Sequence, residues 1–226
     1  MKHLLTLLLL FCFSNLFGQF ALVHDKDSFV NVRSGRNNKV VDQLTNGSLI
    51  YCFENKDNWT VIDYEKNGKT CHGYIYKNRY QFIFSFTEFS VSDKSTNSIT
   101  LKKDSIEISL SQSKFDPKKH TFKYYKDNTS QLELIDNKPY WGKDGGIPDT
   151  QYENISIKIR QKTIMLPKGA LEGLYQPSFH KVTVNYDGAN DIIYIQSMNS
   201  DGAGGYEVIW KIEKGIYKDR LIAYGF

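Results

Sequence analysis

Cys71 and His72 stand side by side in TCHGYIY, and a thiol next to an imidazole is the first place to look for a nucleophile with its base. The stretch reads as a strand, whose successive side chains point to opposite faces, so these two do not pair. His24 lies in the same N-terminal region. His120 and His180 are isolated in strand-like stretches without a serine motif. No pair of histidines or cysteines has the spacing of zinc ligands. Asp144, Asp149 and Asp201 sit in two Asp-Gly loops, KDGGIPD (143–149) and SDGAGGY (200–206). Calcium wants several such oxygens, but neither loop has the alternating Asp pattern with a distal Glu. The favoured reading is tight turns in which Gly202, Gly204 and Gly205 take positive φ ahead of a strand. A phosphate loop would need a following helix and a Lys-Ser/Thr, and YEVIW is a strand. Glu133, Asp136, Glu153 and Glu207 are available as a carboxylate pair for glycoside hydrolysis, and nothing separates them from solvated strand faces. The chain is therefore expected to be non-catalytic, with no metal and no cofactor.

The elements that carry these residues read as β throughout. Aromatic residues make up 14% of the 226-residue chain, with 15 Tyr and 14 Phe, which suits half-buried pleated surfaces. At 40% hydrophobic and 24% charged the composition is that of a folded protein. A formal charge of +4, scattered along the chain, excludes a nucleic-acid footprint.

The first eighteen residues read as a secretory signal peptide. MKH gives a positive start, LLTLLLLFCF an apolar run, and SNLFG ends in the small Gly18. The run is much shorter than the roughly 20 residues of a membrane-spanning helix, so no integral membrane segment is expected after its removal. The mature chain is expected to be periplasmic or secreted. Such compartments favour disulfides, and Cys52 and Cys71 remain. Both flank the strand NWTVIDY in a meander, which places them about 10 Å apart, whereas a bridge needs Cα atoms within about 7 Å. Free thiols are the expectation.

Residues 20–83 hold short apolar runs separated by turns: FALVH, FVNV, KVVDQL, SLIYCF, NWTVIDY and CHGYIY. Even spacing of this kind points to a small barrel. Asn46-Gly47 and Asn67-Gly68 are hairpin dipeptides. The order Val30-Asn31-Val32-Arg33-Ser34-Gly35, then Val41, Leu44 and Gly47, then Trp59 and Val61, then Asn67-Gly68, Gly73, Tyr74 and Ile75 resembles a bacterial SH3-like domain. Tyr74 stands where that family usually has Trp, and Arg36 where it usually has Pro. The resemblance implies a small barrel, an attachment role, and cell-wall peptide or a protein partner as ligand. Arg33, Tyr51, Trp59, Tyr74 and Tyr76 are the candidate ligand-binding residues. For Arg33 the structural reading, a clamp on the loop after its strand, is favoured over direct ligand contact; Trp59 reads as half-buried structure, and Tyr51 and Tyr76 stay open between core and groove.

The polar tract SDKSTNS suggests a boundary near residue 95. Beyond it, residues 97–226 read as a mainly antiparallel β domain. One short helix is expected in PKGALEGLYQP, between Pro167 and Pro177. Trp141–Pro148, Ile164–Pro167 and Asp201–Tyr206 resemble stretches of uncharacterised exported bacterial domains, a resemblance that implies no activity. The expected fold is thus all-β, an SH3-like small barrel followed by this second domain. The expected function is exported binding. The alternatives are an inhibitor or immunity-type protein that blocks another secreted protein, and a cell-wall hydrolase with an unrecognised carboxylate site.

Overall fold

A computed structural model describes residues 19–36 and 38–224. The targeting segment expected over residues 1–18 lies outside them. The fold is all-β and its sheets are antiparallel.

The N-terminal sheet has seven strands: β1 (Gln19–Val23), β2 (Phe29–Arg33), β3 (Val40–Thr45), β4 (Leu49–Lys56), β5 (Trp59–Lys66), β6 (Lys69–Tyr76) and β7 (Tyr80–Phe82), in the order β3-β2-β6-β5-β4-β1-β7. It curls into a half-barrel. The curl brings β2 against β6 through a single pair, Arg33 and Tyr74. Alternation along the strands supplies the inner face. Val30 and Val32, Ile50 and Cys52, Ile62 and Tyr64, and Ile75 form one buried cluster. At Gly73 a Cβ would come 2.3 Å from the Val32 side chain, so glycine is what lets β2 and β6 meet. Asn67 and Gly68 both take positive φ, +53° and +71°, the primed turn that matches the twist of a hairpin. Cys52 on β4 and Cys71 on β6 lie either side of β5, and both are free thiols.

The remaining strands are β8 (Thr87–Glu88), β9 (Ser90–Lys94), β10 (Ser98–Lys103), β11 (Ile106–Lys114), β12 (Phe122–Tyr124), β13 (Leu132–Ile135), β14 (Thr150–Ile159), β15 (Lys162–Met165), β16 (Val182–Asp187), β17 (Ile192–Asn199), β18 (Tyr206–Glu213) and β19 (Ile216–Ala223). They build two five-stranded sheets, β15-β14-β11-β10-β9 and β19-β18-β17-β16-β8, with a β12-β13 ribbon. The two sheets enclose the main core, in which Ile108, Leu110, Ile155 and Ile157 meet Val184, Ile195, Val208 and Trp210. The polar tract near residue 95 is no linker. It is the tip of the β9–β10 hairpin, where Ser95 Oγ accepts from the Asn97 and Ser98 amides. The C-terminal sheets therefore begin at Thr87, ten residues before the expected 97.

The short helix is reduced to one 3-10 turn, Lys168–Ala170. Its physical reason is tertiary. The Ala170 carbonyl, which a continuing helix would offer to Leu174, accepts instead from Trp210 Nε1 at 2.8 Å and Arg220 Nη1 at 2.9 Å. Gly173 then turns to positive φ, +76°. The two Asp-Gly loops meet: a Cβ on Gly204 would lie 3.1 Å from the Lys143 backbone. Of the three glycines expected at positive φ there, only Gly202 has it, while Gly204 serves close approach.

The half-barrel docks through the outer face of β1 and β4. Phe20, Leu22, Leu49 and Tyr51 pack against Tyr194, Ile209, Leu221 and Ala223 on the back of the β17-β18-β19 face. Each fully buried side chain of this size is worth about 1.5–3 kcal/mol, so the seam far outweighs any surface ion pair. Strands β17 and β18 are thus buried on both faces. Among the described residues no helix is long and apolar enough to cross a membrane.

Candidate functional site

The outer face of β5 and β6 is built by pairing. Trp59 stands opposite Tyr76, and Val61 opposite Tyr74. Their alternate neighbours Thr60, Ile62 and Ile75 are buried on the inner face. Arg33 joins the outer face through its pairing with Tyr74. The result is a shallow groove of about 240 Å³ in which Arg33, Trp59 and Tyr76 are joined by Phe29, Asp27 and Arg79.

The geometry within the groove is specific. The rings of Trp59 and Tyr76 meet edge to face, centroids 5.4 Å apart at 81°. Such pairs are worth about 0.5–1.5 kcal/mol beyond their buried area, so the wall is preformed. The Arg33 guanidinium lies over the Trp59 ring, 5.9 Å from its centroid. Its Nη1 donates to the Asn38 carbonyl at 2.8 Å, which clamps the loop after β2. A guanidinium has five donors in a planar fork, so the clamp leaves others for a ligand. Of the two readings of Arg33, the structure shows the loop clamp. Arg79 is held differently. Its guanidinium bonds the Asp25 carboxylate and keeps that group below the usual carboxylate range, with a second carboxylate, Asp27, 3.9 Å away. Tyr76 and Phe29 remain exposed at the rim.

Of the five candidate residues, Arg33, Trp59 and Tyr76 line this groove. Tyr74 lies half-buried on the same face beyond its lining. Tyr51 is elsewhere. It is 0% exposed, wedged edge-on against Phe20 and Phe53 at 5.0 and 5.2 Å, and its hydroxyl donates to Glu207 Oε1 at 3.0 Å. Tyr51 belongs to the seam between the sheets and cannot touch a ligand there. Phe29 and Arg79 were missed. Phe29 opens the alternating run FVNVR, and that alternation was the available signal. Arg79 follows the β6 turn, and nothing in the sequence places it at the groove.

The other chemistry-bearing groups have local partners. His72 Nδ1 lies 2.5 Å from Asp63 Oδ1, and His120 Nδ1 lies 2.6 Å from Asp136 Oδ2. Neither imidazole meets a hydroxyl or thiol among the described residues. Cys71 packs inward while His72 is exposed, as opposite strand faces require. Asp149 is occupied by Lys143 Nζ at 2.9 Å and Gln176 Nε2 at 3.2 Å. Glu133 pairs with Lys123, and Glu207 bonds Tyr51.

No family model, no curated protein and no solved structure matches this chain.

Proposed function

We propose that the chain is an exported, non-catalytic binding protein of the periplasm or cell surface, whose N-terminal half-barrel is an SH3-like module that takes a cell-wall peptide. The observation that carries the reading is the groove of Arg33, Trp59 and Tyr76. A guanidinium with spare donors, set above an indole, suits the carboxylate of a peptide, and the edge-to-face ring pair suits its backbone and apolar side chains. The groove is shallow and open, which fits an extended peptide better than an enclosed small molecule. The C-terminal sheets pack on the outer face of β1 and β4, and the groove occupies the outer face farther along, on β5 and β6. The test is retention of residues 19–226 on purified cell-wall sacculi, compared with the Arg33→Ala and Tyr76→Ala variants. Retention that survives both substitutions moves the ligand elsewhere, and absence of retention by the unaltered chain leaves a protein as the partner.

A further inference from the structure

At one end of the seam a cleft of about 680 Å³ opens between the Asn46-Gly47 turn and the β16–β17 and β18–β19 turns. It shares no lining residue with the Arg33 groove. Its apolar floor includes Leu22, Phe86 and Tyr194. Tyr194 is 0% exposed, and its ring stacks on Phe86 at 5.6 Å. Its hydroxyl is buried and has no hydrogen-bond partner among the described residues. A buried hydroxyl is almost always partnered, so an unpaired one on a residue that lines a cleft points to what the cleft receives.

The charges around it have both signs. Burial first, and then the charges of Asp187 and Glu213, hold the Tyr194 hydroxyl protonated well above its ordinary range. Asp187 Oδ1 is tied into its own turn by the Ala189 and Asn190 amides, at 3.1 and 3.3 Å. Glu213 makes no ion pair among the described residues. Two residues before Glu213 on the same face of β18, Lys211 Nζ donates to the Gly47 carbonyl at 3.1 Å, and Lys214, which follows Glu213 in the turn, has no ion pair among the described residues. A metal does not fit this corner, because no group of three or more His, Cys, Asp or Glu among the described residues is placed to hold one. A simple anion is opposed by three lining carboxylates, Asp187, Asp191 and Glu213, and a simple cation by Lys211 and Lys214.

We propose that this cleft binds a small zwitterion, of the class of free amino acids and short peptides with both termini free. The ammonium sits among Tyr194 Oη, Asp187 and Glu213, and the carboxylate at Lys211 and Lys214. An ammonium has three donors and no acceptor, which matches one phenol oxygen and two carboxylates. The volume is that of ordinary small-molecule sites, which often lie where two structural units meet.

The test is calorimetric titration of residues 19–226 with tri-alanine, beside its N-acetylated and C-amidated forms. Saturable binding of free tri-alanine is expected at roughly millimolar Kd or tighter. Each capped form is expected to bind at least about tenfold more weakly, and Tyr194→Phe to lose about tenfold, since a hydrogen bond to a charged group is removed. Tyr194→Phe deletes one oxygen from a floor that is otherwise apolar, and circular dichroism checks that it folds. The tenfold loss in Tyr194→Phe is expected again when Tyr194→Phe is compared in an Arg33→Ala background, which separates the cleft from the groove. Absence of saturable binding, equal binding of a capped form, or unchanged affinity in Tyr194→Phe each overturns the assignment.

Discussion

Tyr51 and Glu207 are 156 residues apart in sequence and joined by a hydrogen bond of 3.0 Å, with the tyrosine hydroxyl as donor. The bond crosses the seam between the half-barrel and the β17-β18-β19 face. On β18, Glu207, Ile209 and Lys211 alternate towards the half-barrel, meeting Tyr51, the apolar cluster and the Gly47 carbonyl in turn. Val208, Trp210 and Ile212 point the other way into the main core. One strand thus couples two cores.

Removing the seam's aromatic anchor should show this coupling. Tyr51→Ala is expected to cost about 3–5 kcal/mol, the range for deleting a large buried ring. Tyr51→Phe keeps the packing and leaves Glu207 without its donor, at about 1–3 kcal/mol. Urea unfolding measures both. A cost below about 1 kcal/mol for Tyr51→Ala would show that the seam is not a core.

Glu207 gives the seam a pH dependence. Burial is the largest influence on its carboxyl and raises it above the ordinary 4.5, while the Tyr51 hydroxyl opposes the rise. A carboxyl raised on folding binds its proton more tightly in the native state. Its stabilising contribution is therefore full below the unfolded value and is lost as pH rises through the native one. Glu207→Gln is expected to melt higher than the unaltered protein near neutral pH, and the gap is expected to close below about pH 4.5. Melting temperatures over roughly pH 4–8 check it, and a gap that widens towards acid contradicts it.

The two thiols should differ in reactivity. Cys52 is buried in the half-barrel, and burial pushes its thiol up. Cys71 is only partly buried. Native residues 19–226 are expected to take one equivalent of alkylating reagent, at Cys71, and two after denaturation without reductant. No label in the denatured, unreduced protein would reveal a bridge.

Glycines in and just before the first Asp-Gly loop should separate by what surrounds them. Gly142 has φ +106°, and a Cβ there would lie 2.2 Å from the Tyr175 carbonyl. Gly146 has ordinary φ, and its Cβ would meet only the Lys143 side chain at 3.4 Å. Gly142→Ala is expected to cost about 2–4 kcal/mol from combined overpacking and backbone strain, and Gly146→Ala less than about 1. Equal costs in thermal or urea unfolding would contradict the loop geometry.

Local pattern made much of this fold legible. FVNVR alternates so cleanly that its inward Val30 and Val32 could be read directly, and Asn67-Gly68 marked its hairpin. The meander that separates Cys52 from Cys71 followed from three strands in a row. What failed was non-local. Alternation places Tyr51 opposite Ile50, but what lies on that side is supplied by Glu207 and Ile209. The available signal was the near-continuous apolar runs IIYI and YEVIW, which mark strands buried on both faces. PKGALEGLYQP has helical propensity, yet Trp210 and Arg220 claim the Ala170 carbonyl that a helix needs. SDKSTNS is polar because it is a hairpin tip, and composition alone does not tell a tip from a linker. For the groove, Arg33, Trp59 and Tyr76 were named from the SH3-like resemblance and their residue types, and it is strand pairing that brings them to one face. The Tyr194 cleft was not, since its walls come from turns far apart in the chain.

The most direct measurement is quantitative binding of residues 19–226 to purified cell-wall sacculi, with Arg33→Ala, Tyr76→Ala and Tyr51→Phe in parallel. Saturable binding is expected for the unaltered protein. Arg33→Ala and Tyr76→Ala should each weaken it by about tenfold or more, with folding retained. Tyr51→Phe, altered only at the seam, should bind as the unaltered protein does. Loss of binding in Tyr51→Phe with full binding in Arg33→Ala and Tyr76→Ala would contradict a ligand in the Arg33–Trp59–Tyr76 groove.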